Sequence, residues 1–476
     1  MPTRSNAGIS HRLKSACLLA CSFACIAGAQ MAHAETIGQA LAAAYQNNPQ
    51  IRGEQARLRA TDETLAQAQS GYRPTVSAGF DYSLTTTETK PGPSPGTTHP
   101  KVSSLTATES LFDGFQTLNN VREADANIRA ERENLRNVEE SVLLAAATAF
   151  MDVVRDRDTL KARDQNMTAL SEELRSVKAR FDVGEVTRTD VEQARASLAA
   201  AQSADALAKA NLRNSEARFT LTVGAPPGRL TAAEVPTRLM PPTVNEAIAA
   251  AQEARPSVVQ AAFLEKAEGH AIRSLTGQLL PHLEVDASLQ RTDDPAKTVE
   301  ESTTNTIEGK LVVPIYEAGS VRAQIRQAKE TRQGLLENIE EAREQAQNDA
   351  VTAWSLLQAA KAQLQADSVQ VSSATIALQG TRAELQVGQR TELDVLNAVQ
   401  ALLTAQVAVV SDKHDVVVNA YTVLATMGRL TADQLSLGTP VYDVERHYND
   451  TNGKWLDIQV DREEGYAGYD VGFSQK

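Results

Sequence analysis

The longest stretch without a helix-breaking residue constrains this chain most. Between Gly114 and Gly184 there is neither glycine nor proline, and apolar residues recur there at intervals of seven. The positions in that series are Val121, Ile128, Leu135, Val142 and Ala149. Apolar residues spaced in this way line the seam of a coiled coil. The pattern predicts one helix of roughly 68 residues, about 100 Å long at about 1.5 Å per residue.

The chain also repeats itself, with matching segments at a nearly constant separation. The matches are Asn48-Pro49 with Arg255-Pro256, Leu111-Phe112-Asp113-Gly114 with Ile315-Tyr316-Glu317-Ala318, and Val183-Gly184 with Val387-Gly388. Self-similarity of this kind indicates an internal duplication. We therefore predict a first structural repeat at 35–230, a second at 231–433 and a C-terminal tail at 434–476.

Each repeat is predicted to contain a helix, a β-hairpin, a very long helix and a further long helix. In the first repeat the hairpin covers 75–111, the very long helix 114–183 and the next helix 188–223. In the second repeat the corresponding elements cover 282–314, 318–387 and 391–427. The predicted fold is thus mainly α, with four β-strands per chain.

The hairpin segments alternate between apolar and polar residues. After Pro74 the apolar positions are Val76, Ala78, Phe80, Tyr82 and Leu84, and after Pro281 they are Leu283, Val285, Ala287 and Leu289. A period of two is typical of a strand with two different faces. A soluble hairpin on a helix has the same pattern, but strands of about 10 residues with one apolar face also suit an outer-membrane barrel.

The number of strands then limits the assembly. Four strands cannot close a barrel, and a sheet in lipid cannot leave an edge unpaired. Two chains would give eight strands around an interior filled by side chains, whereas three would give twelve strands around a lumen. A passage therefore requires at least a trimer. The heptad seams alone favour an alternative, a periplasmic coiled-coil structural protein without channel activity.

The first 34 residues are interpreted as a secretory signal peptide. Basic residues precede an apolar stretch, and the small-x-small sequence Ala32-His33-Ala34 stands before Glu35. Cleavage is predicted between Ala34 and Glu35; the alternative is lipoprotein processing at Cys21. All three cysteines of the chain lie in this segment, so the processed chain is predicted to have no disulfide and no zinc–thiolate site.

Composition and motifs exclude several classes of function. The chain has 47 Lys and Arg against 60 Asp and Glu, with a formal charge of -13, which argues against a nucleic-acid partner because phosphate binding needs a basic face. Histidines at metal-ligand spacing, nucleophile elbows and phosphate-binding glycine loops are absent from the sequence. We therefore predict no catalytic residue, no cofactor and no metal, and hence no enzyme.

At this point the chain resembles the TolC family of outer-membrane channel proteins. The resemblance covers nearly all of residues 35–433 and rests on the duplicated unit together with three segments. These are Leu279-Leu280-Pro281, Pro314-Ile315-Tyr316-Glu317-Ala318-Gly319 and Val387-Gly388-Gln389-Arg390-Thr391-Glu392-Leu393-Asp394-Val395-Leu396. The tail, with Pro440-Val441-Tyr442-Asp443 and His447-Tyr448, is similar to the BepC-like branch.

The resemblance implies a homotrimer in the lipid of the outer membrane. Its twelve-stranded β-barrel would continue into a long α-helical coiled-coil barrel across the periplasm. It further implies docking, through a periplasmic adaptor (a membrane fusion protein), to an inner-membrane transporter of the RND or ABC type. Such a duct passively exports drugs and toxic compounds in a tripartite efflux pump, or a protein in a type I secretion system.

The two turns between the long helices contain the predicted site residues. Gly184 and Gly388 suit the position just past a helix end. Thr187 with Asp190, and Thr391 with Asp394, have the spacing of a capping box at the start of the next helix. Capping explains these residues without any channel function, and for Asp190 we keep this alternative open.

For the second turn the resemblance implies a role in the channel entrance. Asp394 matches the first acidic residue of a pore constriction, and the second acidic position of that constriction is occupied here by Asn397. Arg390 matches a basic residue that holds the entrance closed.

The partner of that basic residue lies on the neighbouring hairpin, near Thr189 and Asp190. The family's aromatic member of this gating network is replaced here by Leu385. That replacement leaves a contact between Arg390 and Asp190 as the remaining link.

Overall fold

The computed structural model describes residues 35–88, 96–296 and 299–455. The predicted signal peptide, with Ala34 at its cleavage site, lies outside these residues, and so do the first hairpin loop at 89–95 and the tail from 456. The first elements are α1 (Ile37–Asn47), α2 (Pro49–Gln69), β1 (Thr75–Tyr82), β2 (Thr85–Thr87), β3 (Gly96–Thr98), β4 (Lys101–Phe112), α3 (Gln116–Asp182) and α4 (Arg188–Val223). They are followed by α5 (Val244–Ala254), α6 (Pro256–Gly277), β5 (His282–Ala296), β6 (Val299–Val312), α7 (Ser320–Gln386), α8 (Glu392–Thr426) and α9 (Val444–Thr451).

The chain divides into two compact units, which are described separately. The first unit comprises Ala146–Glu234 and Asp367–His414, together with the segment that ends at Ala43. The second unit comprises Ala44–Ala145, Val235–Ala366 and the chain from Asp415 onward. The first unit is therefore built from helices, and the second contains the strands and the tail.

The single helix predicted at the start of each repeat is in fact two helices. α2 begins with Pro49 and α6 with Pro256. Proline has no N–H and its ring clashes with the preceding turn, so it is accommodated at the first position of a helix and ends the helix before it. Asn48 adds a cap, because its side-chain oxygen accepts a hydrogen bond from the backbone N–H of Gln50 at 2.8 Å.

The two longest helices, α3 and α7, have 67 residues each. Both begin two residues after the predicted start, because the preceding residues adopt left-handed backbone conformations. Gly114 and Phe115 have φ of 69° and 68°, and Ala318 and Gly319 have φ of 53° and 77°. Asp113 then caps α3 by accepting hydrogen bonds from the backbone N–H groups of Gln116 and Thr117.

The sheet of the second unit has four antiparallel strands in the order β1-β4-β5-β6, while β2 and β3 pair separately. β4 pairs with β5 in the centre, so the hairpin of each half contributes one central strand. β1 and β6 form the two edges of the sheet.

Apolar clusters fix the helices within each unit. In the first unit one cluster contains Leu170, Ala201, Leu378, Val395, Leu396 and Val399, with Leu385 packed against it. In the second unit Leu58, Leu65, Ile128 and Leu135 are buried together, and Tyr442, Val444 and Tyr448 of the tail pack on them. The start of the tail is thus part of the hydrophobic core.

Among the described residues, α8 alone has the length and apolar composition to cross a membrane. Its residues Val395, Leu396 and Val399 are buried in the cluster of the first unit.

Candidate functional site

The two turns of the first unit have the same backbone construction. In the first turn the N–H of Gly184 bonds to the carbonyl of Phe181, and the N–H of Glu185 to the carbonyl of Arg180, both at 2.9 Å. The equivalent bonds in the second turn run from Gly388 to Leu385 at 3.0 Å and from Gln389 to Glu384 at 2.9 Å. This pair of bonds is the Schellman motif. It requires the left-handed φ of 79° at Gly184 and 74° at Gly388.

Capping boxes start the helices that follow both turns. The N–H of Thr187 donates to Asp190 Oδ2 at 2.8 Å, and the N–H of Asp190 donates to Thr187 Oγ1 at 3.3 Å. Thr391 and Asp394 make the same two bonds at 2.9 and 3.3 Å. These bonds favour the charged form of each carboxylate and hold the pKa of Asp190 and Asp394 below the ordinary value. Both aspartates therefore cap helices and remain ionised at neutral pH.

The predicted gating residue Arg390 is exposed and has a partner in its own hairpin. Its Nε lies 2.9 Å from Glu384 Oε2. The Schellman turn causes this pairing, because the bond from Gln389 to the carbonyl of Glu384 brings the last turn of α7 next to Arg390. Within the single chain described, Arg390 therefore pairs with Glu384 rather than with Asp190.

The other predicted site residues lie close to the turns or at the chain start. Thr189 is exposed in the first turn of α4. Asn397 is exposed on α8 and lines an open groove together with Asn166 of α3 and Ser197 of α4. Glu35 donates its backbone N–H to the carbonyl of Arg229 at 2.7 Å.

An ion pair that the sequence analysis missed connects the two hairpins. Arg180, in the last turn of α3, places Nη1 3.2 Å from Glu392 Oε2 at the start of α8 and Nε 3.5 Å from Glu185 Oε2. Glu392 is only 4% exposed. The spacing of Glu392 indicates its burial, because positions 392, 395, 396 and 399 lie on one face of the helix and Val395, Leu396 and Val399 are buried.

The sheet of the second unit has one mainly apolar face, on which the register also places Glu109 opposite Val285 and Asn305 opposite Leu289. The register places Ile307 opposite Ala287, Ala287 opposite Ala107, and Ala107 opposite Val76. From Leu283 to Leu289 on β5 this face is apolar for about 20 Å, at about 3.4 Å per residue. Arg291 bounds it at one end by pairing with Asp293 and Glu301 at 3.3 and 3.1 Å.

The opposite face of the same sheet is polar. Thr306, Ser288 and Thr106 are register partners across three strands. Next to them, the hydroxyl of Thr108 donates to Asp286 Oδ1 at 2.6 Å. A sheet with one apolar and one polar face suits a position between lipid and water.

No group of three or more His, Cys, Asp or Glu side chains within 35–88, 96–296 and 299–455 is arranged to hold a metal ion.

Comparisons with known proteins agree on one family. The sequence profile of "Outer membrane efflux protein" matches residues 40–225 and 247–429. The outer membrane efflux protein BepC of Brucella suis biovar 1 (strain 1330) is 37% identical over 434 residues, which are 90% of this chain and 93% of BepC. The outer membrane protein TolC of Escherichia coli (strain K12) is 25% identical over 422 residues, which are 85% of this chain and 84% of TolC. The crystal structure of the Campylobacter jejuni CmeC outer membrane channel superposes with a TM-score of 0.73 at 16% identity, covering 89% of this chain and 90% of CmeC.

Proposed function

Because the chain belongs to the outer membrane efflux protein family, we propose that three copies form the exit duct of a tripartite efflux pump. The protein is a channel of the Gram-negative outer membrane and not an enzyme. Its substrates therefore leave the cell chemically unchanged, and the energy for export comes from a partner in the inner membrane.

The four-stranded sheet is the observation that carries this proposal. Its edge strands β1 and β6 offer unpaired backbone groups, which lipid does not tolerate. Three copies joined edge to edge give twelve strands, enough to enclose a lumen. The apolar face through Ile307 would then contact lipid, and the polar face through Thr306 would line the passage.

The helices supply the periplasmic part of the proposed duct. α3 and α7, with 67 residues each, are about 100 Å long at about 1.5 Å per residue. Three copies would assemble these helices into an α-helical barrel that continues the β-barrel. In that arrangement the two Schellman turns stand at the periplasmic entrance, with Asp394 and Asn397 at the constriction and Arg390, Thr189 and Asp190 at the gate.

The proposed partners are a periplasmic adaptor and an inner-membrane transporter of the RND or ABC type. We favour efflux of drugs and toxic compounds over dedicated protein secretion, since BepC, at 37% identity, is an efflux protein. Crosslinking in cells followed by co-purification would identify the adaptor and the transporter. Deletion of the gene is expected to sensitise the cell to detergents, bile salts and dyes; unchanged susceptibility would contradict general efflux.

A pair of adjacent substitutions tests the orientation of the sheet. Ile307 is 84% exposed in the single chain and lies on the apolar face, whereas Thr306 is exposed on the polar face. An arginine on the lipid side near the bilayer midplane costs about 2–4 kcal/mol per copy. Ile307→Arg is therefore expected to abolish the heat-modifiable trimer in the outer-membrane fraction, while the matched control Thr306→Arg assembles and changes conductance.

Two results would overturn the proposal. The first is a wild-type protein that fractionates as a soluble periplasmic rod and forms no conducting trimer in planar bilayers, which is the behaviour of a coiled-coil structural protein. The second is loss of the trimer in Thr306→Arg but not in Ile307→Arg, which would reverse the assignment of the two faces.

A further inference from the structure

A buried carboxylate joins the two helix hairpins of the first unit. Glu392 lies in the first turn of α8 with its side chain 3% exposed. Its Oε2 accepts a hydrogen bond from Arg180 Nη1 at 3.2 Å, and Arg180 belongs to the last turn of α3. This ion pair adds a polar link to the apolar cluster that packs the hairpin of α3 and α4 against the hairpin of α7 and α8.

The other side-chain oxygen of Glu392 lacks a hydrogen-bond donor in the described part of the chain. Oε1 is buried and has no hydrogen-bond donor among the described residues. The carboxyl of Glu173 on α3 interacts with the carboxyl of Glu392, and it can only accept a hydrogen bond when it is ionised. Two carboxylates in such contact do not both stay ionised, and one proton between them satisfies both oxygens.

We propose that Glu392 and Glu173 share one proton, that this proton keeps the start of α8 docked on α3, and that its loss loosens the entrance of the channel. The contact among Glu392, Glu173 and Arg180 is electrically neutral when the two carboxyls hold one proton, because Arg180 balances the remaining negative charge. Without the proton, the buried charge of Glu392 and the half-buried charge of Glu173 face one positive charge. This inference rests on the proposed function only in placing the pair at the entrance of a channel. The shared proton itself rests on contacts within one chain.

The charged groups around Glu392 and Glu173 also favour the state in which the pair holds one proton. From α3 the pair faces Arg180, whose charge is shared with Glu185 of the first turn. From the start of α4, Asp190 adds a negative charge that disfavours ionisation of Glu392.

On the side of α8 itself, two neighbouring charged groups already have partners of their own. Arg390 pairs with Glu384, and Asp394 accepts the capping bond from Thr391. Neither is free to replace the proton between Glu392 and Glu173.

The pH at which this contact between α3 and α8 weakens follows from the environment of Glu392. Burial, and then Glu173, raise the pKa of Glu392 from 4.5 to about 7. A carboxyl with a raised folded-state pKa contributes stability that is fully present below its unfolded value and is lost as pH rises through the folded value. The contact between α3 and the start of α8 is therefore stable in acid and weakens as the pH rises through about 7.

The test is single-channel conductance in planar bilayers between about pH 5.5 and about pH 8.5. Wild type is expected to rise in conductance with a midpoint near pH 7. Glu392→Gln keeps a donor toward Glu173 and carries no charge, so it is expected to stay at the low-conductance level throughout. The matched control is Glu172→Gln, which alters an exposed acid next to Glu173 on α3 and is expected to keep the wild-type midpoint.

Hydrogen exchange gives a readout that needs no channel. In the detergent-solubilised protein, amides at 392–396 are expected to lose protection with rising pH, beyond the intrinsic exchange rate, in wild type but not in Glu392→Gln. If Glu392→Gln does not assemble, Glu173→Gln replaces it and is expected to abolish the transition in the same way. Exchange that follows this pattern without conductance would refute the proposed channel and keep the shared proton. A transition that persists in both Glu392→Gln and Glu173→Gln, or disappears in Glu172→Gln, would overturn the inference.

Discussion

Glu140 allows a quantitative prediction about the stability of the second unit. It lies on α3 and is 4% exposed, and its Oε1 is buried with no hydrogen-bond partner among the described residues. Burial raises the pKa of Glu140 from 4.5 to about 8, against the opposing attraction of Arg136. The folded protein thus holds this carboxyl protonated at a pH where the unfolded chain releases the proton.

The magnitude follows from proton linkage. The stability that Glu140 contributes is fully present below pH 4.5 and is lost as pH rises toward about 8. Each pH unit in that window corresponds to about 1.4 kcal/mol, so a rise from about pH 5 to about pH 7 removes about 2–3 kcal/mol. Glutamine has the same shape and cannot ionise, so Glu140→Gln is expected to remove this part of the pH dependence.

The assay is denaturant unfolding of the detergent-solubilised protein, followed by circular dichroism at both pH values. The free energy of unfolding of wild type is expected to fall by about 2–3 kcal/mol more than that of Glu140→Gln. Glu344→Gln, an exposed substitution on α7, is the matched control and is expected to follow wild type. The reasoning is refuted if Glu140→Gln and wild type lose the same stability between the two pH values.

Two further predictions concern the second turn, and a third concerns the end of α8. Asp394→Ala is expected to weaken the cation preference of the channel, measured as the reversal potential in a salt gradient, because in the proposed trimer it would remove a ring of ionised carboxylates; an unchanged preference would leave helix capping as the role of Asp394. Arg390→Ser is expected to raise single-channel conductance while the trimer still assembles, because it releases the second turn from Glu384; wild-type conductance would place the gate elsewhere. Gly428→Ala is expected to destabilise the fold by at least about 2 kcal/mol, because φ is 70° and a Cβ would approach the carbonyl oxygen of Ala254 to 2.5 Å. Gly388→Ala faces open space and is expected to cost only about 1 kcal/mol, so equal losses in urea unfolding would contradict the steric argument.

Periodicity allowed the long elements to be predicted from the sequence. The heptad series through Ile128 and Leu135 marks residues that are buried on α3, and the alternation around Phe80 marks strand β1. Both signals are local, because a helix or strand with one apolar face reveals its period within a few turns. The capping boxes are local for the same reason, since Thr187 and Asp190 are three residues apart.

Features that depend on distant residues could not be predicted. The ion-pair partner of Glu392 is Arg180 of α3, more than two hundred positions earlier in the chain, and the apolar stripe on α8 gives no indication of that partner. The tail is a second case. His447 lies 3.1 Å from the buried carboxylate of Asp62, and Arg132 pairs with Glu445. Because these partners meet only after the chain has folded, the sequence of the tail alone gave no indication of its packing.

The two open edges of the sheet also affect how mutations behave genetically. A copy whose helices still associate but whose β1 or β6 cannot pair would enter mixed assemblies and leave the barrel unclosed. If such a copy and the wild type were made in equal amounts, only about one in eight of the proposed trimers would be free of it. Edge-strand mutations would therefore be dominant over a wild-type allele. A substitution that unfolds the monomer before assembly would instead be recessive, because the damaged copy would never meet its partners.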